Sequence, residues 1–261
     1  MNKLYVIGDV HGDYDRLHLL LNKHNLISFD SKWIGDDSTL VLIGDLTDRG
    51  DKGIEVIELV MSLEKQAQAK GGNVVSLCGN HDAIFIAQAS QFRGDLADRY
   101  CYELFEYNGG FFKEAKFVSE NEEMFTWMQK RPLIFKFEEN LFQHADSCVF
   151  YNSMGNTIDE INEKGFELML SGAGAFDIFY RMTDCRYWDA VSEQLKTYRI
   201  DEYMEKHNVK RIFHGHTRFI GDEPQIYYDG KIINVDGSLS NGYRKTHNRG
   251  FVVEVHNAFT S

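Results

Sequence analysis

Proline is almost missing from this 261-residue chain, with Pro132 and Pro224 the only two. There is also no Ser/Gly linker, low-complexity tract or fixed-period repeat, so nothing marks a domain boundary and a single domain over 1–261 is expected. The four cysteines, Cys78, Cys101, Cys148 and Cys185, form no C-x-x-C pair. That spacing excludes a thiolate zinc site or a redox dithiol and reads as reduced, packed thiols of a cytosolic protein. No apolar stretch reaches the length of a membrane span, and the first residues lack the basic-then-apolar pattern of a secretory leader. A soluble cytoplasmic protein is therefore expected. Basic residues are scarce too: 28 stand against 40 acidic ones, a formal charge of -12, with no Lys/Arg-rich run. The balance disfavours nucleic acid and anionic membranes as partners, so an anionic substrate has to be met by bound cations and single arginines.

What is present is a β-α alternation with polar punctuation. Gly8-Asp9-Val10-His11-Gly12, Gly44-Asp45-Leu46-Thr47-Asp48-Arg49-Gly50 and Gly79-Asn80-His81-Asp82 each follow an apolar run, at 4–7, 40–43 and 74–77. The runs read as buried parallel strands whose carboxyl ends project the three tips into one crevice. Helical spacing at Leu17, Leu20 and Leu21, and again from Ile54 to Leu63, fills the intervals, with Gly71-Gly72 stopping the second helix. From about 83 to 130 the pattern is mostly helical and aromatic-rich, expected as a helical cap beside the site whose rings pack rather than stack on bases. Beyond Pro132, 133–137 and 141–144 read as a hairpin, 157–207 as mainly helical, and 210–213, 225–228, 232–235 and 250–255 as strands of a largely antiparallel second layer.

A metal pair that hydrolyses phosphoesters needs a carboxylate bridging both ions, further oxygen and imidazole ligands, and open positions for water and phosphate. Asp9, His11 and Asp45 can hold one ion. Asp45 can bridge to a second, completed by Asn80 and by His144 and His216, which each end a strand-like run. Mixed N/O ligation without thiolate favours Mn²⁺, with Fe or Zn²⁺ as alternatives, and Mg²⁺ alone would not explain three imidazoles. With the ions about 3.5 to 4 Å apart, a bridging water loses its proton near neutral pH and attacks phosphorus in line. His81 is placed to protonate the departing alkoxide as general acid, and Asp48 to keep that imidazole charged and oriented. Arg49, with a second arginine from the later half, can grip the non-reacting phosphate oxygens bidentately.

In this order, and followed by a strand-end histidine and Gly215-His216-Thr217, the motifs resemble those of the calcineurin-like metallophosphoesterases. Within them the chain is most similar to the phosphoprotein phosphatase branch, including its bacterial, phage and Shewanella-like members. The motifs span 8–217. The resemblance implies an α/β fold, a four-layer α/β/β/α sandwich, with a dinuclear centre that hydrolyses serine, threonine or tyrosine phosphate monoesters. The implied substrate is a phosphorylated protein or peptide, or a small phosphoester. It assigns the same ligands, the same acid pair and Arg49 as a clamp. Phe179-Tyr180-Arg181 is similar to the Trp-Tyr-Arg element of the Shewanella-like members, which favours Arg181 over Arg186 as the second clamp.

Two residues depart from that pattern. Asp82 stands where protein phosphatases carry Glu and is similar to the symmetrical diadenosine-tetraphosphate hydrolases; Asp48, which those hydrolases replace by Ala, pulls back toward monoesters. Arg218 stands where many superfamily members carry a second histidine, one that phosphoprotein phosphatases also lack. A nucleotide or symmetrical dinucleoside-tetraphosphate hydrolase is the alternative reading, and a non-catalytic binding module is disfavoured because no ligand or acid position is lost.

Other polar residues have plainer readings. His214 is expected as a strand residue satisfied by a neighbouring hydrogen bond, and His247 as a surface residue. Asp146 reads equally as a partner of His144 or a solvated turn carboxylate. Gly172-Ala173-Gly174 reads as a flexible turn, since no strand-loop-helix frame with a lysine surrounds it. Tyr243, after Asn241-Gly242, is a candidate for the edge of the substrate cleft.

Overall fold

The computed structural model of the chain describes residues 3–96, 98–186, 193–242 and 249–256, with the side chains of 193–198 left aside. Tyr243 and His247 lie outside the described residues. The expected βαβαβ unit opens the fold as β1 (Leu4–Ile7), α1 (Tyr14–Lys23), β2 (Thr39–Leu42), α2 (Gly53–Gln68) and β3 (Asn73–Ser76). The three strands are parallel, in the order β3-β2-β1, with Leu4 beside Thr39 and Thr39 beside Asn73. Their alternation divides two cores. Leu4, Val6 and Val41 point to one face, where they meet Phe142, Phe213 and Ile233 of a second sheet. Tyr5, Ile7, Leu40 and Leu42 point to the other, against Leu17 and Leu21 of α1 and Val56, Val60 and Leu63 of α2. Two-sided burial explains why these strands read as unbroken apolar runs.

The second sheet comprises β4 (Ile134–Phe137), β5 (Asn140–Gln143), β6 (Arg211–His214), β7 (Gln225–Tyr227) and β8 (Ile232–Asn234) in the order β4-β5-β6-β8-β7. The expectation of a largely antiparallel layer needs correction: β5, β6 and β8 are mutually parallel, and only the edges β4 and β7 run antiparallel. The long helical crossover between β5 and β6 returns the chain in the same direction, which strand patterning alone does not reveal. The last strand, β9 (Val252–Val255), leaves this sheet altogether and pairs antiparallel with β1.

The outer face of the second sheet, with Ile134, Leu141, Ile212 and Ile232, packs on the helical layer that completes the four-layer sandwich. The helical region expected over 83–130 is α3 (Asn80–Phe92), α4 (Arg99–Tyr107), α5 (Phe112–Glu120) and α6 (Glu122–Gln129). Its α3 is buried throughout Asn80–Ser90 and packs along α9 (Gly172–Thr183), so it is the spine of this layer, with Phe85 and Phe105 in edge contact beside it. Gly172-Ala173-Gly174 is the first turn of α9 and not a flexible turn: Ser171 Oγ accepts from the Gly174 N–H as its cap. Between β5 and α9 lie α7 (Cys148–Met154) and α8 (Ile158–Met169), and α10 (Glu193–His207) leads into β6. Among the described residues no helix is long and apolar enough to cross a membrane.

One helix start is capped from a distance. Lys52 gives α2 no side-chain cap, and Glu114 Oε1 of α5 accepts from the Gly53 N–H at 2.9 Å instead. Burial pushes the Glu114 carboxyl up to about 7, although the amide donors oppose it.

Candidate metal and phosphate site

All three tips, together with the ends of β5 and β6, meet at the carboxyl edge of both sheets around an open cavity of about 560 Å³. The backbone there is unusual. His11, Asp45, Asp48, Arg49 and His216 all lie at φ between 47° and 68°, a left-handed conformation that costs non-glycine residues of order 1–3 kcal/mol each and clusters at functional sites. The motif glycines leave room for the carboxylates: a Cβ on Gly79 would fall on Asp45 Oδ1, and one on Gly215 on Asp9 Oδ1.

Two groups of buried donors share Asp45: His11, Asp45 and His81 in one, Asp45, His144 and His216 in the other, each with its ligating atoms within 4.8 Å of one another. Asp45 Oδ2 lies 3.3 Å from His144 Nε2 and 3.7 Å from His11 Nε2. Asp9 borders both, its oxygens 4.0 Å from His11 Nε2 and 3.9 Å from His144 Nδ1, while both accept from the His216 N–H at 3.1 Å. Asn80 Oδ1 faces His144 Nε2 at 3.0 Å and His216 Nδ1 at 2.9 Å. All six residues expected as ligands are thus brought together.

The orientation of the imidazoles tests whether a cation fits. His11 Nδ1 faces the Thr47 carbonyl, His144 Nδ1 that of Ile43 and His216 Nε2 that of Thr183, each at 3.1 Å. With those nitrogens donating, the remaining nitrogen of each ring presents a lone pair toward Asp45 or Asn80 oxygens, which are acceptors as well. Lone pairs converging in a buried space require a proton or a cation between them. Burial lowers the His144 imidazole, but the facing Asp45 and Asp9 outweigh it and raise the group to about 9, the response of a site built for positive charge. The Asn80 amide is fixed in turn, since its Nδ2 donates to Thr183 Oγ1 at 3.1 Å and that hydroxyl donates to the Phe179 carbonyl at 2.7 Å.

The calcineurin-like phosphoesterase family matches this sequence over residues 3–217. The chain belongs to that family. Similar proteins include Shewanella-like protein phosphatase 1 of Plasmodium berghei (strain Anka), 26% identical over 249 residues that cover 91% of this chain and 67% of that protein. A symmetrical bis(5'-nucleosyl)-tetraphosphatase of Pasteurella multocida (strain Pm70) is 32% identical over 140 residues, 53% of this chain and 41% of that one. Among solved structures, a cold-active protein-tyrosine phosphatase of a psychrophilic Shewanella species superposes with a TM-score of 0.73 at 24% identity, over 98% of this chain and 76% of that one. The chain thus spans about two thirds of the Plasmodium protein and under half of the tetraphosphatase. Family and relatives together make it a metal-dependent phosphatase.

For a phosphoesterase of this family, the remaining groups sort by where they stand. His81 Nδ1 lies 3.0 Å from Asp48 Oδ2, and Arg49 donates to His81 Nε2 at 2.8 Å. A guanidinium only donates, so His81 here is neutral with its proton on Nδ1. Burial, reinforced by His11 and Arg49, lowers its pKa well below the usual imidazole value, while burial and the like charges of Asp45 and Asp82 raise Asp48.

The expectation for the second clamp needs correction. Arg181 sits in the last turn of α9, ion-paired at 3.0 Å with Asp177 one turn back, hydrogen-bonded to Ser153 and set over the Phe150 ring, and it does not line the cavity. Arg186 does: it donates to the His216 carbonyl at 3.1 Å and to Thr217 Oγ1 at 2.6 Å. His214 Nδ1 faces the Gly215 carbonyl at 2.9 Å, the neighbouring hydrogen bond expected of it. Asp146 Oδ2 accepts from Thr217 Oγ1 at 3.4 Å, which ties it to the turn carrying His216.

Three supports went unread in the sequence. Asp82 accepts from the N–H groups of Asp45, Leu46 and Gly79 at 2.7, 2.9 and 2.9 Å, and Arg131 pairs with it at 3.1 Å inside the protein. One carboxylate thereby joins the second tip to the third. Thr183 orients Asn80 as described. Asp236 is buried beside Asp9, and burial pushes its carboxyl up to about 6.

Proposed function

We propose that this chain is a phosphomonoesterase acting on phosphorylated protein side chains, serine, threonine or tyrosine, with Asp9, His11, Asp45, Asn80, His144 and His216 holding two divalent ions. The Asp48-His81-Arg49 hydrogen-bond chain carries the reading, because an imidazole in contact with a carboxylate and a guanidinium beside the six proposed ligands supports a proton carrier and a phosphate clamp working together. The relatives named as protein phosphatases support the protein substrate. Mn²⁺ is the metal that the mixed imidazole and oxygen donors suit best, with Fe or Zn²⁺ as alternatives. A cytoplasmic location belongs to the same reading and is supported by the scattered spacing of the four cysteines, which form no C-x-x-C pair.

Bound ions would supply charge neutralisation at the phosphate and a water acidic enough to lose its proton near neutral pH. The protein's own groups do the rest. Arg49 and Arg186 hold the non-reacting phosphate oxygens. Once Arg49 turns to the phosphate, His81 Nε2 is free to take a proton from solvent water; Asp48 holds the resulting imidazolium, which passes that proton to the leaving alkoxide and returns to the neutral ring. Binding of the substrate and arming of the acid are then one movement.

A second reading, hydrolysis of symmetrical dinucleoside tetraphosphates, is favoured by the tetraphosphatase relatives and by Asp82. The purified chain should hydrolyse an aryl phosphate with added Mn²⁺ and lose that activity on chelation. Rates on phosphoserine, phosphothreonine and phosphotyrosine peptides against diadenosine tetraphosphate decide the substrate, and a faster tetraphosphate would overturn the first reading. His81→Asn should cut kcat at least a hundredfold with metal content unchanged; equal loss of metal would make His81 a ligand and not the acid.

A further inference from the structure

The reaction uses two arginines, yet the cavity has a third. Arg218 follows His216 by two residues on the same turn: His216 is turned inward to Asn80, Thr217 is buried, and Arg218 emerges exposed on the cavity wall. Arg186 is anchored to that turn through the His216 carbonyl and Thr217 Oγ1. The guanidinium groups of Arg49, Arg186 and Arg218 therefore stand in one cavity of a chain whose net charge is -12. The only carboxylates that line it, among the described residues, are Asp9 and Asp45, both buried with the imidazoles. No hydrocarbon side chain lines it among those residues either, and Asn108, Thr183 and Thr217 make up the rest of its wall beyond the donors. The exposed Arg218 adds positive charge to this wall, which repels a basic neighbour of the scissile phosphate and pairs with an anionic one.

We propose that Arg218 is a specificity-determining residue that pairs with an acidic side chain flanking the phosphorylated residue of a peptide. The inference rests on the protein-phosphatase reading above and deepens it. Arg218 is spaced for this role, because it sits at the solvent end of the turn while Arg186 is held at the inner end. An extended peptide advances about 3.3 Å per residue, so a carboxylate one or two positions from the phosphorylated residue reaches the rim while the phosphate reaches the ions. An exposed pair of this kind is worth up to about 1 kcal/mol, a preference of about three- to fivefold. Salt screens it strongly.

The test uses the whole chain with Mn²⁺ and two phosphoserine peptides that differ only in Glu or Gln at the flanking positions. The wild-type protein should prefer the Glu peptide about three- to fivefold in kcat/KM, through KM and not kcat, and the preference should fade at 0.5 M salt, on the order of ten times the starting ionic strength. Arg218→Ala should bring the ratio of the two peptides to about one, Arg218→Glu should invert it, and Arg218→Lys should restore part of it. Arg99→Ala, an exposed arginine on α4 that pairs with Glu103, should leave the ratio as it was. A wild-type ratio near one, or a ratio that survives in Arg218→Ala, overturns the inference while the phosphatase reading stands. If neither peptide is hydrolysed while diadenosine tetraphosphate is, the peptide reading fails and this inference with it.

Discussion

Thr183 offers a direct test of how the proposed metal ligands are held. Its hydroxyl accepts from Asn80 Nδ2 at 3.1 Å and so decides which end of that amide faces His144 and His216. Thr183→Val keeps the shape and the β-branch and deletes only the hydroxyl. One neutral hydrogen bond of about 1 kcal/mol goes with it, and the amide loses the bias that keeps Oδ1 toward the imidazoles. With that bias gone, the inverted amide, which presents N–H donors where a cation belongs, becomes a competing state. Removing such a partner of a metal ligand weakens metal binding by about 10- to 100-fold, and a half-buried neutral bond belongs at the lower end. We expect Mn²⁺ affinity, read by titrating the stripped protein, to fall about tenfold. Unfolding stability should drop by no more than about 1 kcal/mol. Thr183→Ser should restore the affinity. If valine binds Mn²⁺ as tightly as threonine, or if serine loses as much as valine, the amide is oriented by something else.

The other predictions address the frame around the site. Arg131→Met leaves the Asp82 carboxylate buried without its cation; three amide donors remain, so a loss of about 3 kcal/mol in denaturant unfolding is expected, with activity lost because the second and third tips separate. Burial raises the Glu114 carboxyl from its ordinary 4.5 to about 7. The folded state therefore holds the proton longer than the unfolded chain, and stability falls as pH rises through that window. Glu114→Gln, which keeps an acceptor for Gly53, should match the wild type near pH 4.5 and be more stable by about 1–2 kcal/mol at pH 8, once partial exposure is discounted; a gap of the opposite sign would refute the assignment. Arg186→Ala should raise KM and lower kcat on an aryl phosphate at least tenfold, whereas Arg181→Ala should change either by less than twofold.

Strands β1 to β3 and the three tips were legible because they are local: an apolar run ending in Gly-Asp or Gly-Asn is visible without knowing its neighbours. The convergence of His144 and His216 on Asn80 was reached only through the order of the motifs, since nothing in the sequence between 81 and 144 measures that distance. Arg181 went astray on helix phase. Its partner Asp177 lies four residues earlier, the spacing of an ion pair along a helix face, and that signal points Arg181 away from the site. Arg186 lies beyond the end of α9, in a loop whose course no periodicity dictates. Arg131 and Thr183 act through partners 49 and 103 residues away, and such pairings are set by the packing of α3 against α6 and α9. The strand run at 250–255 was visible, but not its sheet: an alternation of Val252 to Val255 fits either one, and only the free edge of β1 decides.

That edge sets a timetable for the protein's synthesis. β1 is synthesised well before β9, so one side of β1 stays unpaired until Val252–Val255 has emerged. An apolar strand with an open edge is a template for pairing with other chains. Until β9 arrives, then, the nascent protein is at its most vulnerable to misassembly, and closing so long a loop is slow. His216 also enters late, so a chain stalled before it holds Asp9, His11, Asp45, Asn80 and His144 but not the complete second group of donors. The two candidate groups share Asp45, so the second is completed only when the turn that carries His216 joins a chain in which the first is already present.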